Sequence, residues 1–275
     1  MTSRSDFVSF LSDYGRNDEF VGVCHAVIAR IAPDVRVVDL GHGLPRHQVR
    51  PAALALRNAL PYTPPGVHLA VVDPEVGAER RAVALRTAED ERLLVGPDNG
   101  LLALATERFG GAVEAVEIGR SKWRLDPVSH TFHGRDIFAP VAAWLATGWP
   151  LAEAGDPLDP SELVGIELPR PRQEKDGTLI AHVLSVDRFG NAALNVGHDD
   201  LADSGLRLGH PVLIEAGAGR RRRAHYAVTF ADVAPGELLV YEDAWRMLAV
   251  AVNRGNASRE LALRPDSELR LRAEP

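Results

Sequence analysis

Residues suited to chemistry gather in the first half of this 275-residue chain. Thr131-Phe132-His133-Gly134-Arg135-Asp136 sets a histidine and two charges at the mouth of an apolar run, Ile137 to Ala143. Two aspartates upstream are punctuated in a similar way: Asp13 in Ser12-Asp13-Tyr14-Gly15 and Asp73 in Val71-Val72-Asp73-Pro74-Glu75-Val76-Gly77. Acids that end apolar strands beside glycines stand where open α/β sheets place their sites. The pattern predicts an enzyme acting on a small molecule.

Each residue has a chemical and an architectural reading. Asp13 can accept two hydrogen bonds from a ribose diol, or it can cap the turn that follows it. Asp73 ends the most apolar strand and precedes Gly77 and the pair Arg80-Arg81. A partly buried aspartate near an arginine stays ionised. It can orient a water or a substrate, or it can pin the loop through an ion pair. His133 lies just before a helix, whose dipole is expected to depress its pKa and favour the neutral ring. A neutral imidazole is a base or a water-orienting group near neutral pH. A lone histidine is more often structural, but the company of Thr131, Gly134, Arg135 and Asp136 favours a functional role. Gly96-Pro97-Asp98-Asn99-Gly100 reads as a tight turn that starts a helix, with Asp98 or Asn99 as the cap. CxxC, HExxH and P-loop patterns are absent. The ten histidines are scattered rather than spaced as metal ligands, so no metal is predicted.

The second half offers Asp187-Arg188-Phe189-Gly190-Asn191, a turn that breaks a strand pattern. Asp187 and Asn191 can point to one ligand and Phe189 can stack on a base; the plainer reading is a hairpin with an Asx turn. Asn253-Arg254-Gly255-Asn256-Ala257-Ser258 is a second polar turn. Arg220-Arg221-Arg222-Arg223 follows Gly217-Ala218-Gly219 and reads as a solvated hairpin tip.

The elements that must position these residues alternate in the first half. Strands are predicted at Phe7 to Leu11, Val35 to Leu40, Val67 to Val72, Ala82 to Arg86, Leu93 to Val95 and Ala115 to Ile118. Helices are predicted at Asp18 to Ala32, Val49 to Leu60, Leu101 to Phe109 and Arg135 to Leu145. Such alternation predicts a mostly parallel sheet flanked by helices. Residues 168–178, rich in proline and charge, read as a linker between an α/β domain at 1–167 and a β domain at 179–275. In the latter, Leu179 to Val186, Asn191 to Val196, Pro211 to Ala216, Ala224 to Phe230, Leu238 to Tyr241 and Met247 to Val252 read as strands of a small antiparallel, barrel-like fold.

Bulk properties exclude several classes. A formal net charge of -7 argues against nucleic-acid binding through phosphate neutralisation. One cysteine allows no internal disulfide and fits a reducing compartment. No apolar run approaches the ~20 residues of a bilayer span, and the first residues lack a signal-peptide core. A cytoplasmic protein with no membrane partner is expected.

Six motifs now agree in order: Phe10-Leu11-Ser12-Asp13-Tyr14-Gly15, Val71 to Gly77, Gly96 to Gly100, Thr131 to Asp136, Asp187 to Asn191 and Asn253 to Ala257. The chain resembles the S-adenosyl-L-methionine hydroxide adenosyltransferases, or S-adenosylmethionine hydrolases, relatives of the fluorinating and chlorinating adenosyltransferases. The resemblance runs over nearly the whole chain. It implies attack by water or hydroxide on C5′ of S-adenosylmethionine, releasing adenosine and L-methionine. It also implies a homotrimer with active sites between the N-terminal domain of one subunit and the C-terminal domain of the next. The water-handling trio then matches Asp73, Arg80 and His133, with Arg81 adjacent to the middle position. Asp13 would hold the ribose diol, and Thr131 and Gly134 would line the reacting centre. Asp187 and Asn191 of a neighbour would fix the methionine end. No cofactor is implied, because the sulfonium carries its own leaving group.

Halide-using relatives carry tyrosine where this chain has Asp73 and His133, and the fluorinating branch has an insertion after the segment matching Arg80-Arg81. The resemblance therefore favours water over halide, and a carboxylate at Asp73 would repel a halide. One region departs from the family: Asp243-Ala244-Trp245-Arg246 stands where an Asn-Ser-x-Gly-like turn is expected, and Ala249 replaces a glutamate common in the hydrolase branch. That departure motivates a second reading, a protein that binds adenosine or S-adenosylmethionine without turnover. A halide adenosyltransferase is a third.

Overall fold

The structure, a computed structural model, describes residues 4–202, 204–217 and 219–274. The chain divides into two compact units, residues 1–166 and 167–275. The first opens with β1 (Phe7–Ser12), α1 (Phe20–Ile31), β2 (Arg36–Gly41), α2 (Val49–Ala59) and β3 (Val67–Val71). It continues with β4 (Ala82–Thr87), β5 (Leu93–Pro97), α3 (Ala103–Arg108), β6 (Ala112–Glu117), α4 (Ala139–Ala146) and β7 (Asp156–Leu158). The strands form one sheet in the order β2-β1-β3-β5-β4-β6-β7.

Helices cover both faces, which is why β1, β3 and β5 are mostly apolar and buried along their whole length, with Ser9, Ser12 and His68 buried among the apolar residues. Val8 and Phe10 of β1 pack with Cys24, Val27 and Ile28 of α1 and with α4. Leu11 and Ala70 face the other way, against Ala52 and Leu56 of α2 and Ala105 of α3. The buried residues of α1 recur three and four apart, the stripe expected of a helix laid on a sheet.

The α/β class holds, but the sheet is more mixed than the alternation predicts. β2, β1, β3 and β5 run parallel, whereas β4, β6 and β7 add antiparallel pairings. The physical reason is the short link between β4 and β5: a parallel neighbour needs a helical crossover, and residues 88–92 leave no room for one.

In the second unit β8 (Arg172–Gln173) lies inside the stretch expected as a linker and pairs with β9 (Leu179–Val186). Then follow β10 (Ala192–Gly197), β11 (Pro211–Ala216), β12 (Arg220–Tyr226), β13 (Leu238–Glu242), β14 (Met247–Val252), α5 (Ala257–Leu261) and β15 (Glu268–Ala273). The order β10-β14-β13-β12-β11-β15-β9 closes through a β9–β10 pairing, giving a seven-strand barrel with β8 appended. All neighbours are antiparallel except β12 and β13. The barrel interior holds Val183, Leu194, Ile214, Val250 and Leu271.

Two readings of the sequence are corrected here. Arg220 to Arg223 are strand residues of β12, paired with β11 and exposed, not a turn; the hairpin tip precedes them, and its Ala218 lies outside the described residues. Strand β15 is not among the predicted elements, although Leu269 and Leu271 alternate with Arg270 and Arg272 in the two-residue period of a half-buried strand.

Candidate active site

Asp13 directly follows β1 and Asp73 lies two residues beyond β3, so both stand at the carboxyl ends of adjacent parallel strands. The chain leaves β1 towards β2 on one side and leaves β3 towards β4 and β5 on the other. This reversal opens a crevice where ligands bind in open α/β sheets. A cleft of about 360 Å³ occupies it, lined by Asp13, Tyr14, Asp73, Thr131, His133 and Gly134, with Phe20, Phe132 and His47.

One guanidinium organises the polar wall. Arg80 Nε donates to Asp73 Oδ1 at 2.9 Å and Oδ2 at 3.0 Å, and its Nη2 also donates to Oδ2. The same Nη2 lies 2.8 Å from His133 Nδ1. Both side chains of the ion pair are 5% exposed, and the guanidinium stands 5.3 Å from the ring centroid of buried Phe138. A pair buried this well is costly to break from one side, about 3–5 kcal/mol.

The adjacent arginine is turned away. Arg81 Nε donates to Asp98 Oδ2 at 2.9 Å and its Nη1 to Glu162 Oε2 at 3.1 Å. Successive residues of extended chain point to opposite sides, so only Arg80 reaches Asp73 and His133. Asn99, expected as a cap, accepts from the Leu101 N–H and donates to the Val72 carbonyl, tying this turn to the end of β3.

Arg80 fixes the histidine's tautomer. A guanidinium has no acceptor, so Nδ1 must offer its lone pair and the ring proton sits on Nε2. The His133 pKa lies below its ordinary value of 6.5, first because of burial and then because of the Arg80 charge. The neutral ring expected from the sequence is present, but its cause is burial and Arg80 rather than the helix dipole. The local helix is unusual: Gly134–Phe138 forms a π-helical turn that runs into α4. Asp136 within it is buried, accepts from Arg135 Nε at 2.6 Å and from the Ser129 N–H at 2.8 Å, and so holds the loop that carries Thr131.

Two glycines permit close approach. A Cβ on Gly134 would lie 2.0 Å from the Tyr14 hydroxyl. Gly77 has φ +82 and passes so near the His130 carbonyl that a Cβ would sit 2.6 Å from its oxygen. The site loops after β3 and before α4 meet there. Tyr14, Phe20 and Phe132 form an aromatic wall with centroids 5.0 to 5.9 Å apart, Phe132 meeting the other two edge-to-face and Tyr14 tilted against Phe20. Sequence reasoning missed this wall; the aromatics next to Asp13 and His133, Tyr14 and Phe132, were the available signal. Burial raises the Tyr14 pKa well above its ordinary value of 10.0, so the phenol stays protonated.

Asp13 Oδ2 accepts from the His47 N–H at 2.9 Å, pinning a residue held at φ 62. This is the turn-bracing reading in a new form, since the partner is 34 residues away. The carboxylate keeps acceptor capacity towards the cleft it lines.

In the second unit Asp187 closes its own turn. Its Oδ1 accepts from the Phe189 and Asn191 N–H groups, both at 2.9 Å, and its Oδ2 accepts from Asn191 Nδ2 at 2.9 Å. The Asx-turn reading therefore describes its present contacts. Phe189 is 62% exposed, with Arg188 over its ring at 4.8 Å. The Gly190 carbonyl accepts from Ser258 N–H at 2.9 Å, so two motifs far apart in sequence meet. The atypical segment is a tight turn in which Asp243 Oδ1 accepts from the Trp245 and Met247 N–H groups and Arg246 is held at φ 62. Ala249 is buried. Tyr241 is pushed up to about 12 by burial, then by Asp187 and Asp243.

One group with metal-ligand chemistry was not legible from spacing. His25, Asp39 and His42 bring their ligand atoms within 4.8 Å of one another.

A switch-point cleft with a buried Asp–Arg–His network in an α/β unit, followed by a β-barrel unit, defines a two-unit enzyme of small molecules. The chain belongs to the SAM hydroxide adenosyltransferase family: the model of the family's N-terminal domain matches residues 8–155 and that of its C-terminal domain residues 181–270. It is 49% identical to a protein of Salinispora tropica named (R)-S-adenosyl-L-methionine hydrolase, over 97% of this chain and 98% of that one. A protein of the same name from Thermus thermophilus is 41% identical over 96% and 98%. A fluorinase of Actinoplanes is 29% identical over 72% of this chain and 74% of its own. Among solved structures, an uncharacterized conserved protein of Thermotoga maritima superposes with a TM-score of 0.88 at 36% identity, covering 96% of this chain and 99% of that one. No helix among the described residues is long and apolar enough to cross a membrane.

Proposed function

We propose that this protein hydrolyses S-adenosyl-L-methionine by in-line attack of water on C5′. The new O–C5′ bond forms as the C5′–S bond breaks, its electron pair passes to sulfur, and adenosine, L-methionine and one proton leave. The observation that carries this reading is the single guanidinium joining Asp73 and His133 at the wall of the cleft. Asp73 accepts a hydrogen bond from the water. His133 Nε2–H donates to one lone pair of its oxygen, which leaves the other free for attack. Charge disappears from the sulfonium along the path, so the apolar wall of Tyr14, Phe20 and Phe132 favours the transition state over the ground state. Asp13 holds the ribose diol, and Thr131 and Gly134 border the reacting carbon. No cofactor takes part. The relatives' names carry the prefix (R), and we extend that preference to this chain.

The same reading places Asp187, Phe189 and Asn191 of a neighbouring subunit in a homotrimer at the methionine and adenine ends. The exposure of Asp187 and Phe189 in the single chain, with Asn191 half-buried beside them, supports it.

The test is incubation with each sulfonium epimer in oxygen-18 water, followed by chromatography and mass spectrometry. Equimolar adenosine and methionine, with the label in the adenosine 5′-hydroxyl, are expected. Faster turnover of the (R) form and loss of turnover in Asp73→Ala complete the expectation. Unlabelled adenosine, or turnover only with added halide, would overturn it.

A further inference from the structure

Behind the loop that carries Asp13 and Tyr14, three residues converge that the proposed reaction does not use. His25 projects from α1, Asp39 from β2, and His42 follows β2. His25 Nε2 lies 2.8 Å from Asp39 Oδ1, and His42 Nε2 lies 3.0 Å from the same oxygen. The side chain of His42 is 1% exposed, and its Nε2 takes no hydrogen bond. A buried ring nitrogen thus aims at a carboxylate oxygen without the alignment of a donor. On its other edge, His42 Nδ1 lies 2.7 Å from the Ser12 hydroxyl, whose oxygen also accepts the Tyr14 N–H. A metal-bound histidine typically holds its second nitrogen by such an outer contact, which fixes the tautomer and aims the free lone pair.

We propose that His25, Asp39 and His42 form a binding site for a divalent first-row transition ion of the zinc class. Two imidazoles and one carboxylate are a borderline nitrogen–oxygen set suited to that class and poorly suited to magnesium or calcium. The spacing agrees. Bonds of about 2.0–2.1 Å at a tetrahedral angle hold ligand atoms about 3.3 Å apart, so the two separations from Asp39 need to open only slightly, and the two ring nitrogens already lie within 4.8 Å of one another. The side chains of His25 and Asp39 are each about one-third exposed, which leaves a path for entry and room for a water as fourth ligand. Binding takes the Nδ1–H tautomer of His25, whose Nε2 then offers its lone pair to the ion beside Asp39 Oδ1.

The ion would brace the substrate loop. The His42 carbonyl accepts from the Gly15 N–H at 2.7 Å, and its ring holds Ser12, so both ends of Ser12-Asp13-Tyr14-Gly15 are tied to one ligand. The role is structural, and the site stands whether or not the cleft hydrolyses S-adenosylmethionine.

Titration of the chelator-treated full chain with Co²⁺ tests this through visible absorption. One ion per chain is expected, with the intense bands of a low-coordinate site, displaced by Zn²⁺. His25→Gln and Asp39→Asn, both partly exposed, should each weaken binding more than about tenfold, since even outer contacts contribute 10–100-fold. A second measurement needs no variant: Zn²⁺ should shift the ring nitrogens of His25 and His42 in the nuclear magnetic resonance spectrum of the wild-type protein and raise its Tm. A featureless cobalt titration, unshifted ring nitrogens or full-strength binding in either variant overturns the proposal. Adenosine release is not among the readouts, so failure here is separate from failure of the proposed hydrolysis.

Discussion

Arg80 Nη2 meets His133 Nδ1 at 2.8 Å across 53 residues of sequence, while the same guanidinium grips Asp73. A carboxylate and an imidazole are thereby locked to one another through a group that can only donate. The histidine stays neutral, with its proton on the nitrogen not facing the arginine.

Arg80→Lys keeps the charge but cannot grip Asp73 with two nitrogens while reaching His133. Turnover should fall by about 10²–10⁴, the usual worth of a positioned acid–base group, with KM little changed. Arg80→Ala should in addition lose about 3–5 kcal/mol of stability, because buried Asp73 is left unpaired. Steady-state kinetics and urea unfolding of the two variants separate these effects, and wild-type turnover in Arg80→Lys would refute the role.

Asp13 and His133 should divide between binding and rate. Asp13→Ala should chiefly weaken substrate binding, since the ribose is held alike before and during reaction. His133→Ala should chiefly lower turnover, because the attacking water must be placed only as the transition state forms. Calorimetric titration beside kinetics reads both, and an inverted pattern would exchange the assigned roles.

His68 predicts acid sensitivity of the first unit. The ring is buried, its Nδ1 lies 2.8 Å from Ser9 Oγ, and Arg92 Nη1 lies 3.2 Å from its Nε2. Burial, then the Arg92 charge, lowers its pKa from 6.5 to about 3. Between those values the unfolded chain binds the proton and the folded chain does not, so stability falls as pH falls through that interval and is complete above it. Urea midpoints measured across the interval should show this slope, and His68→Gln should flatten it. An unchanged slope in the variant would assign the acid sensitivity to other groups.

The proposed homotrimer, with its site shared between neighbours, makes a prediction about mixtures. Asp73→Ala and Asp187→Ala should each be inactive alone. Co-refolded into mixed trimers, some interfaces pair an intact N-terminal half-site with an intact C-terminal half-site, and activity should partly return. Verified mixed trimers without recovery would confine the site to one subunit.

The sequence by itself determined the α/β unit, the β unit after it, and the placement of Asp13, Asp73 and His133 at element ends. These follow from local rules: apolar runs bounded by acids and glycine mark strand ends, and periods of two or 3.6 residues distinguish strand from helix. Gly134 and Gly77 were visible beside the motif histidine and acid, though not the Tyr14 hydroxyl and the His130 carbonyl that press on them. Only the tertiary structure showed that Arg80, and not Arg81, meets Asp73 and His133, because their chemistry is the same and the side of the chain each faces depends on the strand it enters. Only the fold could turn Arg220 to Arg223 from a turn into a strand, since β11 supplies their hydrogen bonds. The grouping of His25, Asp39 and His42 was equally hidden, because a helix and the end of the neighbouring strand deliver these side chains to one point. Spacing along a chain reports on contacts within an element, whereas contacts between elements depend on packing that no local pattern encodes.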